Sequence, residues 1–186
     1  AVTNAGRFLQ EGGMDSVKLE GGAVMAPTIA AIVGAGIPVL GHIGLTPQSV
    51  SQLGGYRVQG KTAVSARHLL EDALALQDAG CFGIVLEAVP AVVAEAISQR
   101  LAIPTIGIGA GAGCDGQVLV WHDLLGLTAG RLPRFVKQYA QLNDIICQAL
   151  SAYRDEVVSG AFPAEAHTYP MNDAEAQAFL EELDPA

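Results

Sequence analysis

Short apolar runs alternate along this chain with stretches of helical periodicity. Val17–Glu20, Pro38–Gly44, Gly83–Glu87 and Pro104–Gly109 read as strands, and Asp115–Trp121 as the last one. Ala23–Ala35 reads as a helix stopped by Gly36, with Pro38 opening the next strand. The clearest helix is Ser65–Ala79. Ala66, Leu69, Leu70, Ala73, Leu74 and Leu76 build its apolar face, and Gly80 ends it. Pro90 suits the first turn of a helix through about Arg100. A long helix spans roughly Asn143 to Val158 and ends at Gly160. Ahead of the first strand, Ala1, Ala5, Phe8 and Leu9 recur at helical spacing up to Gly12-Gly13. Near the other end, Asn172 with Glu175 resembles a capping box for a short helix through Leu183.

Strand and helix in strict alternation predict β/α units around a parallel sheet. The helical stretches separate the strands by ordinary crossover lengths, His42 following Lys18 by 24 residues. Residues 44–61 are different. They show little periodicity and carry two glycine- and proline-bearing stretches, and so long a loop in a compact domain is usually functional or disordered. It leaves the strand that carries His42 and is placed to cover a site there; a surface excursion without a role is the alternative. A closed eight-unit barrel needs about 250 residues, and this chain offers about five units. The expectation is the carboxyl-terminal part of a longer barrel protein, with residues 1–169 forming the partial barrel domain and 170–186 an acidic tail. The competing reading is a small open α/β sheet.

Composition narrows the class. The 186 residues are 51% hydrophobic but only 5% aromatic, so Ala, Val, Leu and Ile must build the core, as in parallel strands buried on both faces. The net charge of −9 disfavours a phosphate-backbone partner, so nucleic acid is not expected. Cys81, Cys114 and Cys147 lie far apart, with neither zinc spacing nor a disulfide framework, which favours a reducing cytoplasm. There is no basic-then-apolar leader and no apolar run near membrane length.

The candidate chemistry sits at strand ends. Side chains alternate across a strand, so Lys18 and Glu20 share a face, His42 shares one with Leu40, and Glu87 with Val85. In a barrel these positions look into the mouth, where active sites of that architecture lie. Lys18 and Glu20 form either a solvated ion pair or a site for an anionic substrate and a metal. Magnesium would suit such a site, since it takes oxygen ligands and keeps several waters. Glu87 ends an apolar strand. Partial loss of hydration there makes it a usable base near neutral pH; capping of nearby backbone is the alternative. His42 either donates to a substrate oxygen or is a satisfied core histidine. His68 and His122 read as structural, and His167 is open. Gly107, Gly109 and Gly111 either bring backbone N–H groups to an anion or make tight strand ends.

Five stretches carry a resemblance. They are Gly41-His-Ile-Gly-Leu-Thr-Pro-Gln-Ser49, Gly54-Gly-Tyr-Arg-Val-Gln-Gly60, Leu86-Glu-Ala-Val-Pro90, Ile106-Gly-Ile-Gly-Ala-Gly111 and Asp115-Gly-Gln-Val-Leu-Val-Trp-His-Asp123. In this order they closely resemble the ketopantoate hydroxymethyltransferase family, from about Gly6 to about His167. The resemblance implies a (β/α)8 TIM barrel of the phosphoenolpyruvate/pyruvate superfamily, here lacking about the first three units. It implies a magnesium enzyme, usually a homodecamer, that transfers a hydroxymethyl group from 5,10-methylenetetrahydrofolate to 3-methyl-2-oxobutanoate on the way to pantothenate. By the same likeness Lys18 contacts the keto acid, Glu20 belongs to the magnesium site, Glu87 is the proton acceptor and His42 lines the pocket. The family's two metal-binding aspartates and an adjacent serine belong to an amino-terminal half that has no counterpart in this chain. Two alternatives stand beside this reading. One is a magnesium-dependent carbon–carbon lyase or mutase of the same superfamily; the other is an inactive truncated chain that only assembles with a partner.

Overall fold

A computed structural model describes residues 1–49 and 57–183. Residues 50–56, which include Gly54-Gly55-Tyr56 of the second motif, lie outside the described residues. The chain begins with α1 (Val2–Gln10), β1 (Val17–Glu20), a 3-10 turn at Ala23–Met25, α2 (Ala26–Gly34) and β2 (Val39–Gly44). It continues with α3 (Ala63–Asp78), β3 (Gly83–Glu87), α4 (Ala91–Ser98), β4 (Thr105–Ile108) and β5 (Gly116–Gln117). Three further helices follow: α5 (Trp121–Leu124), α6 (Leu142–Ser159) and α7 (Asp173–Leu183). The five strands form one parallel sheet in the order β1-β2-β3-β4-β5; a helix joins each successive pair from β1 to β4, and a short loop leads from β4 to β5.

Alternation divides the strand residues between two faces. Val39, Ile43, Ile84 and Leu86 face the helices and meet Ile29, Ile32, Leu76 and Ile97, all of them buried. This apolar layer is what holds the sheet to α2, α3 and α4. Close approach dictates one glycine here. A side chain at Gly41 would run into Leu76 and Cys81, so helix α3 can lie directly on β2. Helix α3 starts at a cap in which Ser65 N–H donates to Thr62 Oγ1 and Thr62 N–H donates to Ser65 Oγ.

One expectation needs correction. The last strand is much shorter than Asp115–Trp121. Its partner β4 stops at Ile108, and Gly109 turns the chain away at φ +64°, so no ladder remains for residues beyond Val118. Phe8 does not join the buried face of α1. Ala5 is buried and Leu9 packs on the core, whereas Phe8 is 61% exposed. Helix α6 ends as expected, on Gly160 in the left-handed region, but no residue along it is buried. Helix α7 starts with Ala174 N–H donating to Asn172 Oδ1. No helix among the described residues is long and apolar enough to cross a membrane.

Candidate active site

The face of the sheet that turns away from the helices lines a cavity of about 1060 Å³. Lys18 and Glu20 enter it from β1, Leu40 and His42 from β2, Val85 and Glu87 from β3. Register explains the meeting. Glu20 pairs with His42, His42 with Val85, and Gly44 with Glu87, so Glu87 stands one step further toward the strand ends than His42. All four residues singled out in the sequence therefore reach one cavity, on the faces that alternation predicts.

His42 is the centre of the arrangement. Its side chain is 2% exposed, with Nδ1 3.4 Å from Glu20 Oε1 and Nε2 3.2 Å from Glu87 Oε2. Both approaches lie at ion-pair distance but neither is aligned as a hydrogen bond, so the two ring nitrogens are buried without a hydrogen-bond partner among the described residues. A buried polar group of this kind marks a site built for more than packing. The two carboxylates are mostly buried as well. Glu20 Oε2 accepts from the Gln48 backbone N–H at 3.1 Å, which ties the first turn of the long loop to β1. Lys18 is exposed and makes no ion pair among the described residues. Its ammonium is open to an anionic ligand.

The backbone around Glu87 is tightly constrained. Leu45 N–H donates to Glu87 O at 2.8 Å, and Ala88 N–H to Ile108 O at 2.9 Å. Gly44 sits at φ +93°, and any side chain there would collide with the Glu87 carbonyl. Ala88 is the single positive-φ residue other than glycine among the described residues, at φ +49°. Left-handed backbone is costly for alanine and is retained where the surroundings over-determine it, often beside reacting groups. Nothing in Leu86-Glu-Ala-Val-Pro90 announces it, because alanine carries no turn signal.

The donor set can be tested against magnesium. A site for this ion commonly uses one or two carboxylates, with substrate oxygens and waters completing an octahedron. Glu20 can supply one such carboxylate. No group of three His, Cys, Asp or Glu side chains among the described residues is arranged to hold a metal. These residues fit magnesium as one contributing ligand and not as a complete cage.

Sequence reading missed several lining residues. Both ends of the long loop reach the cavity through Leu45, Pro47, Arg57 and Val58, which agrees with the expected cover over His42's strand. Asp123 and Arg131, from the region after β5, line it too. The glycines after β4 serve tight packing: side chains at Gly109 and Gly111 would meet Phe135 and Ala91 respectively. The other histidines lie outside the cavity. His68 pairs with Glu71 on the surface of α3, His122 lies against the Trp121 ring, and His167 packs on Phe162.

Asp115 does structural work nearby. Its Oδ2 accepts from Thr105 N–H at 2.8 Å and from Thr105 Oγ1 at 3.0 Å. The Thr105 backbone N–H, then its hydroxyl, hold the Asp115 carboxyl below its ordinary value. Burial instead pushes the Cys81 thiol up to about 11.

Known proteins resemble this chain along most of its length. The family model described as ketopantoate hydroxymethyltransferase matches residues 1–165. A protein of Chloroflexus aurantiacus is 59% identical over 186 residues, covering all of this chain and 66% of the relative. One of Nitratidesulfovibrio vulgaris is 55% identical over 184 residues, covering 99% of this chain and 60% of the relative. One of Moorella thermoacetica is 58% identical over 169 residues, covering 91% and 63%. All three bear the name 3-methyl-2-oxobutanoate hydroxymethyltransferase. The chain spans less than two thirds of the length of each of them.

Proposed function

The chain belongs to the ketopantoate hydroxymethyltransferase family, and on that premise we propose that its cavity enolises 3-methyl-2-oxobutanoate and joins it to the one-carbon unit of 5,10-methylenetetrahydrofolate. The product is 2-dehydropantoate, for pantothenate synthesis. The carrying observation is the buried His42 flanked by Glu20 and Glu87 at the ends of adjacent parallel strands.

Each residue takes a role set by its place. Lys18 faces the cavity without a carboxylate partner among the described residues, and its charge binds the keto-acid carboxylate. Glu87 accepts the proton from C3 of the substrate, because it is the carboxylate nearest the strand ends and its backbone is fixed on both sides. His42 lines the pocket between the two carboxylates, with Nε2 facing Glu87 and Nδ1 facing Glu20. The folate-borne carbon exchanges both of its carbon–nitrogen bonds, one for a bond to the enolate carbon and one for a bond to the oxygen of water, and the two freed folate nitrogens take up the proton removed from C3 and the proton left by that water. Magnesium, with Glu20 as its ligand from this chain, would supply Lewis-acid polarisation of the keto-acid oxygens.

The same reading extends to architecture. The five strands are consecutive members of a closed eight-stranded barrel, and the part of the relatives that this chain does not span provides the other strands and the remaining metal ligands. Residues 170–186 stand outside that barrel as a tail. The assembled protein is a homodecamer of the cytoplasm. The 186 residues by themselves are expected to give no transfer, so the assay belongs on the natural gene product that contains them. Folate-dependent formation of 2-dehydropantoate from 3-methyl-2-oxobutanoate is the expected result, and its absence contradicts the proposal. Lys18→Ala should weaken keto-acid binding about ten- to a hundredfold, as loss of a charge-assisted contact does. Unchanged affinity would return Lys18 to a solvated strand end.

A further inference from the structure

A second cavity, of about 640 Å³, adjoins the first. Val58, Ala88, Val118 and Phe135 line both, so the two form one continuous cleft whose junction lies next to Glu87. Its outer side carries Arg134, Lys137 and Tyr139. Together with Arg131 at the first cavity, these put three of the chain's ten cationic side chains into seven residues of a chain whose net charge is −9. No Asp or Glu occurs between Asp123 and Asp144. None of the three cations pairs with a carboxylate among the described residues, and Lys137 Nζ stands 4.7 Å over the Tyr139 ring.

We propose that this second cavity is the subsite for the carboxylate-bearing tail of the folate co-substrate, with Arg134 and Lys137 binding its glutamyl carboxylates. The inference rests on the function proposed above. The co-substrate is a reduced pterin ring system joined through an aminobenzoyl group to glutamate. Its one-carbon unit sits at the ring end and must reach the carbon that Glu87 deprotonates. The tail then leaves along the cleft, over Phe135. That ring can occupy the junction because position 109 is glycine; any side chain there would run into it. Beyond it, the tail meets the stretch where cations stand without carboxylate partners among the described residues. Lys18, on β1, is left for the keto acid. Exposed charge-assisted contacts of this kind discriminate by charge number, so a longer glutamyl tail should bind better.

The test uses the natural gene product with the paired change Arg134→Gln and Lys137→Gln. The expected result is a rise of about tenfold in KM for 5,10-methylenetetrahydrofolate, larger for the triglutamate than for the monoglutamate. KM for the keto acid and the folate-free exchange of its C3 hydrogen with deuterium should stay at wild-type values, which also reports that the variant is folded. The charge-preserving pair Arg134→Lys and Lys137→Arg should recover most of the folate affinity. A folate KM at the wild-type value, in an enzyme that does transfer from folate, overturns the subsite and leaves the proposed function standing. An equal rise in keto-acid KM also overturns it, because the patch would then serve the other substrate. Wild-type protein that transfers nothing from folate overturns the function and the subsite together.

Discussion

Residues 17–108 and residues 118–183 use their apolar side chains in opposite ways. The first segment closes Ile32, Leu76, Ile84, Leu86 and Ile97 into a layer that water does not reach. The second contains the longest helix, α6, yet Ile145, Ile146, Leu150, Tyr153 and Val157 all remain exposed. Ile146, Leu150, Tyr153 and Val157 lie three or four residues apart, on one helix face. Periodicity therefore predicts the helix equally well in both segments, but says nothing about what covers it. In residues 17–108 each strand's neighbour is the next strand in the chain, so the cover is local in sequence. For α6 the proposed cover is the part of the barrel that this chain does not span.

That contrast has a direct energetic test in the 186-residue chain. Leu76→Ala should lose about 2–5 kcal/mol of stability in denaturant titrations, since it opens a cavity beneath β2. Leu150→Ala should change stability by no more than about 0.5 kcal/mol, as exposed substitutions usually do. Equal losses would mean that α6 is already packed in solution. In the natural gene product the Leu150 loss should instead grow toward the Leu76 value if a barrel covers α6.

A smaller effect should come from the junction between the segments. Asp115 is held below its ordinary titration range by Thr105, so its contribution to stability is present above the unfolded carboxylate value of about 3.9 and is lost as pH falls through the lower folded value. Asp115→Asn should be less stable than wild type at pH 7, with the gap closing below about pH 4. A gap that stays constant with pH would show that the hydrogen-bond geometry, and not the carboxylate charge, fastens β5. The thiols give a finer probe. Cys147, exposed on α6, should alkylate at pH 7.5 well before Cys81, whose thiol is buried and stays protonated. Comparable rates would place Cys81 outside a stable core.

Much of the site was legible in the sequence, for one physical reason. Alternation in a strand is rigid, so a titratable residue two positions from another must share its face. Lys18 with Glu20, His42 with Leu40 and Glu87 with Val85 all follow that rule into the cavity. The span of β3 was legible too, because Gly83 and the turn after Glu87 mark its ends. What sequence could not supply was relative depth. Register between strands sets Glu87 one step beyond His42, and only that offset puts one imidazole between two carboxylates. The strand expected through Trp121 failed for a non-local reason: its apolar alternation is real, but its partner turns away at Gly109. Ala88 was invisible because its backbone is imposed by its neighbours. The cationic stretch from Arg131 to Lys137 was in plain view, but its meaning appears only once Phe135 joins the two cavities.

The central claim is that Glu87 takes the proton, and hydrogen exchange at C3 of 3-methyl-2-oxobutanoate measures that step without folate. In deuterated solvent the natural gene product should exchange this hydrogen, followed by NMR. Glu87→Gln keeps the side-chain shape, leaves Lys18 to bind the substrate and Glu20 for the metal, and removes the base. Exchange should fall by about 10²–10⁴-fold, the usual contribution of a positioned base. Exchange at the wild-type rate in Glu87→Gln would show that another group accepts the proton, and the role assigned to this strand end would be wrong.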